Sequence, residues 1–172
     1  MISKEAKKKR IKLKKRRERE KSQTFLVEGF HLVEEAVKSD WAIQEVIVQE
    51  NMEAPHWTVH ERITQVSKEV FAALADTETP QGIAAVVEMK QFSPEAFRHV
   101  LLIDAVQDPG NLGTLIRTAD AAGFNGVIIG KGSVDPYNDK VIRATQGSLF
   151  HLPLFSGDLK EWVPQLQQQG IT

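Results

Sequence analysis

The sequence predicts an α/β chain in two parts, a small mixed unit followed by a parallel-sheet unit. Three observations carry this. The segments "HVLLIDAV" and "GVIIG" are continuous apolar runs, as strands are when helices cover both faces of their sheet. From His99 onward strand and helix patterns alternate, the mark of parallel strands joined by crossovers. Before them, "KQFSPEAFRH" has the Ser-Pro composition of a linker or a helix start and separates the two parts.

Residues 1–21 form a basic arm with 12 Lys/Arg and 3 Glu, a charge of +9. The remainder carries −10, so the net charge of −1 conceals a strong division. A basic arm on an acidic body fits a polyanionic partner, because Lys and Arg gain affinity by releasing counterions from phosphates. Arg16 and Arg17, within the run "KKRRERE", are the candidate nucleic-acid contacts, and the arm alone does not distinguish RNA from DNA. A solvated tail that aids solubility is the competing reading. Ile2, Ala6, Ile11 and Leu13 are too few for a core-facing helix, and no aromatic face accompanies the charge as in a membrane-surface helix.

Residues 22–90 read as the first α/β unit. "FLVEG" is a strand and turn, and "FHLVEEAVKS" places Leu32, Val33, Ala36 and Val37 at helical spacing. "IQEVIVQ" alternates as a strand, and an irregular stretch surrounds Pro55. "ITQVS" is a strand, "KEVFAALAD" a short helix, and "GIAAVVEM" a strand after the turn "TETPQG". Residues 91–98 are the linker. In residues 99–172 the order is strand "HVLLIDAV", helix "LGTLIRTADAAG", strand "GVIIG", loop and helix "PYNDKVIRATQGS", strand "LFHLPLF" and helix "SGDLKEWVPQLQQQG".

The composition removes several chemistries. Without cysteine there is no disulfide, zinc-thiolate site or cysteine nucleophile. No apolar run reaches the roughly 18 residues of a membrane span, and the expectation is a soluble, cytoplasmic protein with no membrane partner. His56 and His60 stand four apart, but no third ligand is clear, so no metal is expected. The remaining histidines are scattered, and no Ser-His-Asp arrangement emerges.

The chemistry concentrates in "DAVQDPGNLGTLIRTADAAG", Asp104 to Gly123. A turn from a parallel strand into a helix faces the strands' carboxyl ends, where open α/β folds bind ligands. The helix start there offers free N–H groups to an anion. Pro109 and Gly110 are expected to form a tight turn, Asn111 to cap the helix, and Gly113 to allow close approach of a backbone or ligand. The string G-N-L-G lacks the G-x-G-x-x-G dinucleotide fingerprint and no P-loop lysine follows. On residue types alone, an ordinary capped turn with Arg117 in a surface ion pair competes equally. Lys140 and Arg143, one turn apart, are candidate nucleic-acid-backbone contacts, against the alternative of an exposed charged helix face.

The whole string "DAVQDPGNLGTLIRTADAAGFNGVII" resembles the first signature motif of the SpoU family of RNA ribose 2′-O-methyltransferases, in the SPOUT superfamily. The matching positions are Asp108, Pro109, Gly110, Asn111, Gly113, Arg117, Thr118, Ala119, Ala122 and Gly123. "KVIRATQGSLFHLPL" is similar to the family's next segment. "FLVEGFHLVEEAV" and "TETPQGI" resemble the ribosomal-protein-like RNA-binding domain of two-domain members.

The resemblance implies methyl transfer from S-adenosylmethionine to a ribose 2′-OH, in a homodimer, with Asn111 and Arg117 as catalytic residues. The family role proposed for the arginine is help in deprotonating the hydroxyl. A guanidinium stays protonated, so orienting a phosphate and stabilising alkoxide charge is the better chemistry for it. Ribosomal RNA is the favoured substrate by the two-domain layout, with transfer RNA or non-catalytic binding of structured RNA as alternatives. The family's glycine-rich and Ser/Asn motifs, part of its knotted cofactor-binding region, do not occur up to Thr172. The expected fold is therefore the RNA-binding domain plus the first part of a trefoil-knot methyltransferase domain, its cofactor site incomplete and the chain inactive alone.

Overall fold

The computed structural model describes residues 4–94 and 97–171; Ile2, the linker's Glu95 and Ala96, and Thr172 lie outside the described residues. The backbone divides into two compact units, one ending at Lys90 and one beginning at Gln91.

In the first unit, β1 (Thr24–Glu28), β2 (Ile43–Gln49), β3 (Ile63–Val66) and β4 (Ile83–Glu88) form a sheet of order β1-β4-β2-β3. Only the β2–β3 pair is parallel. The strands' period of two divides their side chains between two apolar layers. Phe25, Val27, Val46, Val48, Ile83, Ala85 and Val87 alternate with Ile47, Ala84 and Val86, and all are buried. The second set packs with Val66 and with Phe71 and Leu74 of the helix α4 (Lys68–Leu74). Helix α3 (Phe30–Lys38) buries Leu32, Val33 and Ala36, the periodic residues of its sequence.

The basic arm corrects one expectation. It folds as two helices, α1 (Lys4–Lys12) and α2 (Arg16–Ser22), and Leu13 between them is buried in the cluster that holds Ile47, Phe71 and Leu74. Apolar periodicity does not predict this docking, because polar groups supply the attachment. Arg10 Nε donates to Glu45 Oε1 at 2.5 Å and its Nη2 donates to the other carboxylate oxygen. Lys14 Nζ donates to the Ala75 carbonyl at 2.8 Å. The buried Arg19 donates from Nη1 to the carbonyls of Leu13 (2.9 Å) and Lys14 (3.0 Å), closing the end of α1.

In the second unit β5 (Val100–Ile103), β6 (Gly126–Gly130) and β7 (Leu154–Gly157) are parallel, in the order β5-β6-β7. Helices α5 (Pro109–Ala121) and α6 (Asp139–Thr145) share a core with one face: Leu112, Ile116 and Val141 against Ile103, Val127 and Ile129. On the other face Ile128 packs with Leu166 of α7 (Leu159–Gln168) and with Phe97, flanked by Phe155 and Trp162. The last strand lies later than the expected "LFHLPLF". Gln146 (φ 51°) and Gly147 (φ 93°) close α6, and Ser148–Phe150 makes a 3-10 turn that buries Leu149 and Phe150 before the strand begins.

Candidate functional site

The segment singled out in the sequence leaves the carboxyl end of β5 and enters α5. Its loop is held firmly. Val106 N–H donates to Ser133 Oγ at 3.2 Å, and its carbonyl accepts from Val134 N–H at 2.9 Å. Ala105 sits at φ 50°, a left-handed backbone that a residue with a Cβ adopts at a cost of about 1 kcal/mol. Strain held at a strand's carboxyl end is typical of a binding loop. The sequence reading missed Ala105 and Ser133, since nothing in an alanine or a distant serine marks backbone strain.

Two expectations about this turn are corrected. Pro109 and Gly110 are the first helical residues, not a separate turn, and the cap is Asp108, whose carboxylate accepts the Asn111 N–H at 2.7 Å. Proline suits the first helical position because no bond is asked of its nitrogen there. Asn111 is thereby relieved of capping. Gly113 does permit a close approach, and the partner is α6: a Cβ at this position would strike Ala144 Cβ and stand 2.7 Å from the Val141 carbonyl oxygen.

With Leu112, Gly113, Ile116 and Ala119 buried, α5 presents Gly110, Asn111, Thr114, Arg117 and Thr118 to solvent. At about 100° per residue, Asn111 and Arg117 stand on opposite rims of that face, roughly 120° and 9 Å apart along the helix. Only small side chains lie between them. Among the described residues neither the Asn111 amide nor the Arg117 guanidinium has a hydrogen-bond or ion-pair partner. Asp120, one turn beyond Arg117, is instead engaged by His151 Nδ1 at 3.3 Å. Two strong hydrogen-bonding groups flanking a shallow, uncharged strip can address a phosphate on one side and a sugar on the other.

The other candidates fall out differently. Arg143 Nη2 is paired with Asp139 Oδ2 at 3.0 Å, whereas Lys140 lends its backbone N–H to Asn138, the α6 cap, and keeps its ammonium in solvent. Arg16 Nε is paired with Glu20 at 2.7 Å, and Arg17 is exposed. Arg16 and Arg17 belong to the first unit, and Asn111, Arg117, Lys140 and Arg143 to the second. His56 opens a 3-10 turn that ends at Thr58; no group of three His, Asp or Glu among the described residues could hold a metal.

Comparison with known proteins bears on both units. Residues 5–85 match the MRM3-like substrate binding domain, and residues 98–172 match the SpoU rRNA Methylase family. The chain is 47% identical over 161 residues to the Bacillus subtilis 23S rRNA (guanosine(2553)-2′-O)-methyltransferase RlmP, covering 93% of this chain and 65% of that protein. It is 31% identical to the 23S rRNA (uridine(2479)-2′-O)-methyltransferase of Streptomyces viridochromogenes, covering 90% of this chain and 60% of the relative. The human mitochondrial rRNA methyltransferase 3 is 32% identical, with 39% of its length covered. This chain thus spans less than two thirds of the length of each of these relatives.

Solved structures agree with the fold. A TrmH-family RNA methyltransferase structure from Porphyromonas gingivalis superposes with a TM-score of 0.85 at 29% identity, covering 99% of this chain and 69% of that one. The SpoU methyltransferase AviRb from Streptomyces viridochromogenes, solved in complex with AdoMet, gives 0.81 at 28% identity, covering 95% and 68%. A strained loop at the carboxyl end of a parallel sheet, an N-x-G-x-x-x-R helix and two matched domains agree: the chain belongs to the SpoU rRNA methylase family.

Proposed function

We propose that this chain supplies the RNA-binding unit and the RNA-facing part of the catalytic unit of an S-adenosylmethionine-dependent ribosomal RNA 2′-O-ribose methyltransferase. The observation that carries the reading is the exposed face of α5, where Asn111 and Arg117 stand unpartnered in the motif shared with the family.

S-Adenosylmethionine needs hydrogen-bonding partners for its adenine and charge complements for its methionine end. A groove of about 590 Å³ beside β5 and α7 is lined by Val100, Leu102, Val163, Leu166, Gln167 and Ile171. One amide among aliphatic side chains does not fit that donor. We assign its cradle to the part of the relatives' length that this chain does not span, and this chain alone to an inactive state. When bound, the donor supplies the methyl group. A ribose 2′-hydroxyl is a poor nucleophile, and negative charge on its oxygen is what a nearby cation can offset. Arg117 grips the neighbouring phosphate with a planar fork of donors and offsets charge growing on the 2′-oxygen. Asn111, with both a donor and an acceptor, orients the ribose from the opposite rim. Lys140 meets the RNA backbone beside them, with Arg143 held near by Asp139. Dimer formation and a cytoplasmic location complete the reading.

The test is tritium transfer from labelled S-adenosylmethionine to ribosomal RNA, using protein from the complete reading frame beside this 172-residue chain. The expected result is a labelled 2′-O-methylnucleoside with the former and none with the latter. Transfer to transfer RNA alone would move the substrate. Absence of transfer to any RNA would leave a non-catalytic RNA-binding protein.

A further inference from the structure

Two groups stand out among the cations of the arm. Arg10, Lys14 and Arg19 are spent on the fold: on Glu45, on Ala75 and Asp76, and on the carbonyls ending α1. Lys7, Lys8, Lys9, Lys12, Lys15, Arg17 and Lys21 make no ion pair or hydrogen bond through their side chains among the described residues. Four of these, Lys8, Lys9, Lys12 and Lys21, line one cleft of about 500 Å³ between α1 and α2.

We propose that this cleft is a phosphate-gripping site for the RNA backbone, made by Lys8, Lys9, Lys12 and Lys21 and held in shape by Arg10, Lys14 and Arg19. The proposal rests on the reading of the chain as an RNA-binding family member, and it shifts the arm's contact from Arg16 and Arg17 to the lysine cleft.

The cleft carries a net positive charge that an entering anion offsets. Lys8 and Lys12 lie one turn apart on α1, a like-charge spacing that weakens a helix. Lys21 brings a further charge across from α2. Glu5 and Glu18 also line the cleft, so its lysines outnumber its acids two to one. A solubility tail has no cause to be braced by Arg10, Lys14 and Arg19, nor to seat Leu13 in a core. A phosphate chain relieves the repulsion and releases counterions. Lysine, a point charge without arginine's flat fork, grips phosphates without reading bases. The cleft thus supplies affinity independent of sequence, leaving selection of the nucleotide to other surfaces.

The experiment is fluorescence anisotropy of this chain with a fluorescein-labelled ribosomal RNA hairpin over a salt series, comparing the natural sequence with Lys8→Gln/Lys9→Gln/Lys12→Gln/Lys21→Gln. The proposal expects affinity to fall by about a hundredfold near physiological salt, and the slope of log affinity against log salt to flatten by roughly 3, at 0.7–0.9 per phosphate contact. Thermal unfolding of the variant should occur no lower than that of the parent, because these side chains hold nothing together and their mutual repulsion is removed. Unchanged affinity overturns the proposal, as does a parent chain that fails to bind the hairpin. Loss of stability comparable to that of Arg19→Met would also overturn it, by placing the lysines in the bracing set. Since the readout is binding, these results are separate from the methyl-transfer assay, whose failure would remove the enzyme reading and leave the cleft standing.

Discussion

Gly113 of α5 lies directly against Ala144 of α6, so close that a Cβ on the glycine would meet the alanine's own Cβ and the Val141 carbonyl. This crossing holds the buried side of α5 while its other side carries Asn111 and Arg117. Backbone atoms cannot swing away as a flexible side chain does, so Gly113→Ala must part the helices. A loss of about 1–3 kcal/mol is expected, read by urea or thermal unfolding, although alanine is the better helix former.

Asp108 fixes where α5 begins. Asp108→Ala removes the acceptor of the Asn111 N–H and should cost about 1 kcal/mol, while Asp108→Asn, itself a good cap, should cost much less. Equal losses in the two variants, measured by the same unfolding transitions, would contradict the capping role.

Glu45 joins the arm to the sheet. Burial pushes its carboxyl up, but hydrogen bonds from Arg10 and Thr64, with the charges of Arg10 and Arg62, outweigh that and hold it below its ordinary 4.5. A depressed carboxylate contributes stability that is fully present above the unfolded value and is lost as pH falls through the folded one. Amide hydrogen exchange should therefore show α1 and α2 losing protection as the pH drops below about 4.5. Glu45→Gln should expose them at neutral pH and remove that acid dependence, with a cost of about 3 kcal/mol from the stranded guanidinium.

Tyr137 is the only tyrosine, so its ionisation can be followed directly by ultraviolet absorbance. Burial, and next the charge of Asp135, push its hydroxyl up to about 12. The phenolate band should stay absent through pH 10, where a free tyrosine is half ionised. Because the folded value is raised, the associated stability is complete below about pH 10 and declines as the pH rises towards the folded value. Titration of the folded protein near pH 10 would contradict this.

Much of the fold was legible because apolar patterning and topology agree: "VLLI" and "GVIIG" became neighbouring parallel strands, and the spacing of Leu32, Val33 and Ala36 became the buried face of α3. The last strand was misplaced because Gly147 and the 3-10 turn after it bury apolar residues without extending them. The arm escaped because its attachment is largely polar, through Arg10, Lys14 and Arg19, while Leu13 and Ile11 contribute the apolar contacts among the described residues. At the candidate site, the family motif and the residue types together named Asn111 and Arg117. They did not reveal that Asp108 takes the cap and leaves Asn111 free, or that Ala105 carries the strain.

Arg117 carries the proposed chemistry. Single-turnover methylation of ribosomal RNA, using protein from the complete reading frame with Arg117→Lys, tests it most directly. Lysine keeps the charge but loses the planar fork, so the rate should fall by about a hundredfold or more while RNA affinity changes little. A near-normal rate would show that charge alone suffices and would contradict the proposed grip on phosphate and 2′-oxygen.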